Sequence, residues 1–150
     1  HPGMAVPGRE KEDLEWVEAN VVTREGVVLC ATPSEVRHKF WQLWEMAKLG
    51  FPGILMFVEC GWPVEARFML ECIGDDPLTR NWGGPYPMHE VASVMLAAGM
   101  DPMETYERLP QEMPPHEPLA DARLSARLLA TALMDLKEKA DIRDNELGEN

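Results

Sequence analysis

The sequence predicts an α/β domain built on a mixed β-sheet flanked by helices. Three observations predict it. Two β-rich runs, residues 17–22 and 26–31, are joined by the short turn Thr23-Arg24-Glu25-Gly26. A wholly apolar run at residues 54–58 (ILMFV) is bounded by turn residues. Elsewhere apolar residues recur at helical spacing. A hairpin followed by alternating strand and helix patterns calls for a mixed sheet with helices on its faces.

Taken in order, residues 1–12 are rich in Pro, Gly and charge and read as a loop. The hairpin over 17–31 follows. Pro33-Ser34 opens a helix with Ser34 as the expected N-cap. Val36, Phe40, Leu43, Trp44 and Ala47 mark its apolar face and Gly50 ends it. Trp41 and Trp44 are expected in the core. The run at 54–58 suits a buried central strand. Pro63 then opens a helix over residues 64–73, as a proline at a first helical position is well tolerated. Residues 74–87 read as loop and 88–98 as helix. His89 and Glu90 are expected to cap or pack at the start of that helix. A Pro- and acid-rich segment covers 101–115. The longest helix is expected over 117–139, lined by Leu119, Leu124, Leu128, Leu129, Leu133 and Leu136. This divides the chain into an N-terminal loop at 1–16, a domain at 17–139 and an acidic, frayed tail at 140–150.

Composition narrows the class. At 150 residues and 45% hydrophobic content, the chain can bury a core without disulfide staples. Cys30, Cys60 and Cys72 show no CxxC or Cys/His metal spacing. They read as reduced, buried thiols, which places the chain in the cytoplasm. No apolar run approaches the roughly 20 residues a membrane span needs, and the first residues lack a signal-peptide pattern. A chain that begins with His1 reads either as a fragment or as one in which His1-Pro2-Gly3 is vector-derived and Met4 is the natural start. A net charge of −12 works against plain electrostatic attraction to nucleic acid, unless some acids serve divalent cations.

Three local patterns carry chemistry. The first is the buried run at 54–58 leading to Pro63-Val64-Glu65-Ala66-Arg67-Phe68, a helix start with an acid in its first turn. The second is Gly84-Pro85-Tyr86-Pro87-Met88-His89-Glu90-Val91. The third is His116-Glu117-Pro118-Leu119-Ala120-Asp121-Ala122-Arg123 at the start of the long helix. Together they resemble the ribonuclease-T-like 3′–5′ exonucleases of the DEDDh kind, over roughly residues 17–138. The resemblance implies a ribonuclease-H-like fold. It implies His116 as general base, with Asp121 and Glu65 as metal-binding acids, Glu65 standing where the family usually has Asp. It also implies Mg²⁺ or Mn²⁺ as cofactor. Two such ions about 3.5–4 Å apart can clamp both oxygens of an in-line displacement, and a histidine titrating near neutrality can take the proton of the attacking water.

The first motif of that family is an Asp-x-Glu at the end of the first strand. Asp13-Leu14-Glu15 matches it in letters, but Arg9-Glu10-Lys11-Glu12 before it cannot form a buried strand. The alternative is that residues 17–22 and 26–31 are the second and third strands, with the first strand and its acids missing.

Each residue also has a plainer role open to it. Glu65 suits a first-turn acid favoured by the helix dipole. His116 and Asp121 suit a loop histidine and a solvated acid. Arg123 and Arg127 suit either a phosphate backbone or ion pairs with Asp121 or Glu117. Trp62, next to the second-motif helix, is the tryptophan best placed to contact a substrate. Two functions follow. One is a metal-dependent exonuclease acting on single-stranded RNA or DNA ends or short oligonucleotides. The other is a binding or interaction module that keeps the exonuclease fold without catalysis. An exposed sheet edge and the habit of the superfamily both point to a homodimer.

Overall fold

The computed structural model describes Glu15, Ala19, residues 30–59 and residues 61–148, with the backbone alone at 61, 62 and 146–148. The described residues are α/β and mostly helical. They form helix α1 (Pro33–Gly50), strand β1 (Met56–Val58), a π-helical turn (Gly61–Glu65) and helix α2 (Ala66–Gly74). A short helix α3 (Pro77–Arg80), strand β2 (Met88–Glu90) and helix α4 (Val91–Ala98) follow. A 3-10 turn (Pro110–Glu112) and helix α5 (Pro118–Gly148) complete the order. The chain divides into two units, His1–Val27 with Glu104–Leu128, and Val28–Met103 with Leu129–Asn150.

In the second unit, α1 starts two positions earlier than Ser34 would allow as its cap. Thr32 is the N-cap, and its hydroxyl accepts the Glu35 N–H at 3.2 Å. Pro33 supplies the helical φ and lacks the N–H that a first turn leaves unpaired, so the helix is under way before Ser34. Trp41 and Trp44 are buried, as their spacing predicts. They gather with Met69 and Cys72 of α2, and Phe40, Phe68, Ile54, Met56 and Met88 close around them. Phe40 and Phe68 meet edge to face at 5.1 Å, the geometry aromatic quadrupoles favour.

The central strand is shorter than the apolar run predicts. Ile54 N bonds the Phe51 carbonyl in the turn, so β1 begins at Met56. It pairs in parallel with β2, Met56 opposite Met88 and Val58 opposite Glu90. Among the described residues the sheet is these two parallel strands, not a mixed sheet. Residues 88–90, expected as helix, are therefore strand. Pairing with β1 holds these residues extended, and the helical period starts only with Val91, Met95 and Ala98, all buried. His89 packs its ring on Phe57 at 5.3 Å, while Glu90 sits at the N-cap of α4 and makes no side-chain cap bond.

At the other boundaries, α2 begins at Ala66 because residues 61–65 wind as a π turn. Helix α5 does not stop at 139 but runs through the expected acidic tail to Gly148. No Gly or Pro interrupts residues 119–147, and a negative charge alone does not break a helix. Of the expected hairpin, Ala19 is helical and Cys30 and Ala31 are not in a strand. The rest of it lies outside the described residues. Cys72 is a fully buried thiol, whose pKa burial pushes up, and Cys30 is half-buried. Cys60 lies outside the described residues. No helix among the described residues is long and apolar enough to cross a membrane.

Candidate functional site

The His116–Asp121 motif lies in the unit that contains residues 104–128. Pro110 opens the 3-10 turn, closed by Glu112 N on the Leu109 carbonyl at 2.8 Å. The Glu112 side chain folds back and its Oε2 accepts the Leu109 N–H at 2.9 Å. Arg127, reaching from α5, grips the same carboxylate twice, Nε to Oε1 at 2.7 Å and Nη2 to Oε2 at 2.9 Å. Glu112 is 1% exposed. The forked hydrogen bond from Arg127 holds its pKa down at about 2, against the upward push of burial. Arg127 Nη2 also donates to the Glu107 carbonyl at 2.8 Å.

The helix start is shaped by three consecutive features. His116 takes a left-handed backbone, φ 63°, which turns the chain sharply. Glu117 is buried, and its Oε2 accepts the Ala120 N–H at 2.7 Å, capping the first turn. Asp121 N then bonds the Glu117 carbonyl at 2.9 Å. His116 itself is exposed.

Asp121 is tied to an arginine that sequence spacing does not single out. Arg108 Nη2 stands 2.7 Å from Asp121 Oδ1, while Arg108 Nη1 donates to the Glu112 carbonyl at 2.8 Å. That Oδ1 is sealed from solvent yet receives no well-aligned hydrogen bond, so the contact balances charge without satisfying the acceptor. Arg123 donates to the Gln111 carbonyl at 3.2 Å and is otherwise on the surface. Arg123 and Arg127 were expected to pair with Asp121 or Glu117. Asp121 goes to Arg108 instead, and the ion pair of Arg127 is with Glu112.

The other expected site residues are placed elsewhere. Glu65 is half-buried at the end of the π turn, in the unit that holds the sheet, and that turn packs against β2. The backbone of Trp62 lies in the same turn. Glu15 is exposed and helical, and Asp13 lies outside the described residues.

A divalent cation needs several oxygen ligands at one point. Among the described residues no three His, Cys, Asp or Glu side chains converge to hold one. Asp121 faces a guanidinium rather than other carboxylates. Among the described residues, then, the expected acids are not gathered into a Mg²⁺ or Mn²⁺ site. The residues missed by spacing are Arg108 and Glu112. Their signal was present as opposite charges four apart across Pro110, in a segment whose prolines hide any helical period.

The fold and site thus define an α/β, mostly helical protein with an arginine–carboxylate cluster at the head of its longest helix. No protein-family model matches the chain, and no curated protein or solved structure does so either.

Proposed function

We propose that this chain acts as a metal-dependent 3′–5′ exonuclease on single-stranded RNA or DNA ends or short oligonucleotides, within a ribonuclease-H-like fold. The observation that carries this is the placement of the third pattern. His116 is exposed in a sharp turn and Asp121 lies in the first turn of the long helix that follows. A general base needs access to water and an acid needs a rigid mount, and those are the two settings. In this proposal His116 is the base, and Asp121, Glu65, Asp13 and Glu15 are the acids for Mg²⁺ or Mn²⁺. Trp62 and Arg123 contact the strand. The protein works in the cytoplasm, as a homodimer.

The test is hydrolysis of a 5′-labelled single-stranded oligonucleotide alongside Mn²⁺ titration by calorimetry. Metal-dependent shortening from the 3′ end is expected, reduced about 10²–10⁴-fold by His116→Ala and abolished by Asp121→Asn. Absence of both metal binding and trimming would overturn it. A second proposal, favoured by the Arg108–Asp121 pair, is a binding module on the same fold without catalysis. It predicts no turnover and no second metal ion.

A further inference from the structure

We infer that the cavity beside the loop at 83–87 is a nucleotide-binding site, with a base laid against Tyr86 and a phosphate held by Lys48. The inference deepens the exonuclease proposal above and rests on it for the substrate class. The cavity measures about 270 Å³. It lies wholly within the unit that holds the sheet, between the turn after α1 and the loop before β2.

Charge selects the ligand. The chain carries 26 acids against 14 Lys and Arg. Among the described residues that line this cavity there is no acid, and Lys48 is the one charged side chain. Lys48 Nζ donates to Glu45 Oε1 at 2.7 Å and to the Gly83 carbonyl at 3.0 Å. An ammonium has three N–H donors, so one is left for an anion. Glu45 offsets part of the charge but is not in the cavity wall. Leu55, Met56, Pro85 and Pro87 make the wall largely apolar. A flat ring joined to an anion matches that wall, and a nucleotide is such a molecule.

The aromatic residue is in place before any ligand arrives. The Gly83 carbonyl accepts from the Trp44 indole N–H at 2.8 Å as well as from Lys48, and the two donors pin the loop. The Tyr86 N–H bonds the Gly84 carbonyl at 3.0 Å. The Tyr86 ring folds over Gly84 so closely that a Cβ there would stand 2.8 Å from Tyr86 Cε2. Tyr86 is nevertheless 62% exposed. An exposed ring held by its own loop is a platform on which any base can stack, because every base has a π-face. Ordering it costs the complex little, since the loop has ordered it already.

The experiment measures binding of a fluorescein-labelled oligothymidylate by anisotropy, with the full chain in EDTA so that metal-dependent trimming cannot occur. Tyr86→Ala leaves the core untouched and is expected to weaken binding about tenfold, the scale of one base–aromatic stack. Tyr86→Phe keeps the ring and should keep the affinity. Gly84→Ala keeps the ring but displaces it, and should weaken binding too. Lys48→Gln should make the fall of log affinity with log salt shallower by about 0.7, the share of one phosphate on a single strand. A merely structural role for Lys48 would not change that slope. Unlabelled thymidine monophosphate separates two sources of the same ligand. Displacement shows that the site takes a free nucleotide, and no displacement shows that it takes one only within a strand, and either supports the inference. Unchanged affinity in Tyr86→Ala, or an unchanged slope in Lys48→Gln, overturns the inference and leaves the exonuclease proposal standing. No binding by the unaltered protein also overturns it, and the Mn²⁺-dependent trimming assay then decides the exonuclease proposal separately.

Discussion

Residues 30–103 and residues 104–128 are each stabilised internally, by opposite means. The first closes on Trp41, Trp44, Met69 and Cys72, and its described charged residues lie outside the buried set. Arg80 is the buried exception, donating to the Cys72 carbonyl at 2.7 Å with its guanidinium 5.0 Å from the centre of the Trp41 ring. The second closes on a carboxylate. Glu112 is its most buried charged side chain, and Leu109, Arg108 and Arg127 all donate to that residue. Apolar burial is indifferent to pH and tolerant of direction. A buried carboxylate depends on both. The two stretches should therefore fail under different conditions.

The largest effect is expected in the apolar stretch. Trp44 is buried and its indole N–H donates to the Gly83 carbonyl at 2.8 Å. Trp44→Ala should cost about 3–5 kcal/mol in urea unfolding, from lost transfer energy and the cavity left behind. A loss under about 1 kcal/mol would mean that the tryptophan cluster is not the core, and the contrast between the two stretches would collapse.

Acid should reach the second stretch first. The folded pKa of Glu112 is about 2 against an ordinary 4.5, so it is depressed. The stability it contributes is complete above 4.5, fades as pH falls towards 2, and is gone below. Protection factors against hydrogen exchange at the Leu109 and Glu112 amides should fall about tenfold or more across that window, ahead of those of α2. Glu112→Gln should remove this pH dependence. Matching exchange profiles in the two stretches would break the comparison.

The same contrast explains what was legible in the sequence. Trp41 and Trp44 could be placed in the core because apolar spacing records burial directly. His116 in a loop and Asp121 in a helical first turn were legible because a short pattern fixes local geometry. Strand β2 was not, since three residues are too few to show an alternation and Val91 onward carries a strong helical signal. Nor was the Glu112 cluster. Nothing in a charged side chain announces burial, and the arginine that pairs with the Glu112 carboxylate lies at 127, beyond a sharp turn at His116. The helical course of residues 140–148 was missed because net charge was weighed above helix propensity.

A smaller effect is expected at the end of α4. Gly99 has φ 86°, and its N–H and that of Met100 bond the carbonyls of Leu96 and Met95. A Cβ there would meet only Lys139 Nζ at 3.7 Å, an ordinary contact. The cost of Gly99→Ala is therefore backbone strain, about 1–2 kcal/mol by thermal unfolding. A neutral result would show that the turn relaxes without the left-handed residue.

The smallest effect separates sequence pattern from structure at the start of α1. The Glu35 carboxylate accepts the Ala31 N–H at 2.8 Å, just as Glu112 accepts that of Leu109, but it does so in solvent. Water can replace such a bond, so exposed capping contributes little more than the cap itself. Thr32→Ala should cost about 1 kcal/mol, and Ser34→Ala should stay within about 0.5 kcal/mol. Parallel urea titrations of the two variants would settle which residue caps the helix. The reverse order would move the start of α1 to Ser34. Similar small losses in both would mean that Pro33 alone fixes the start, with the threonine hydroxyl as well served by water as by the Glu35 N–H.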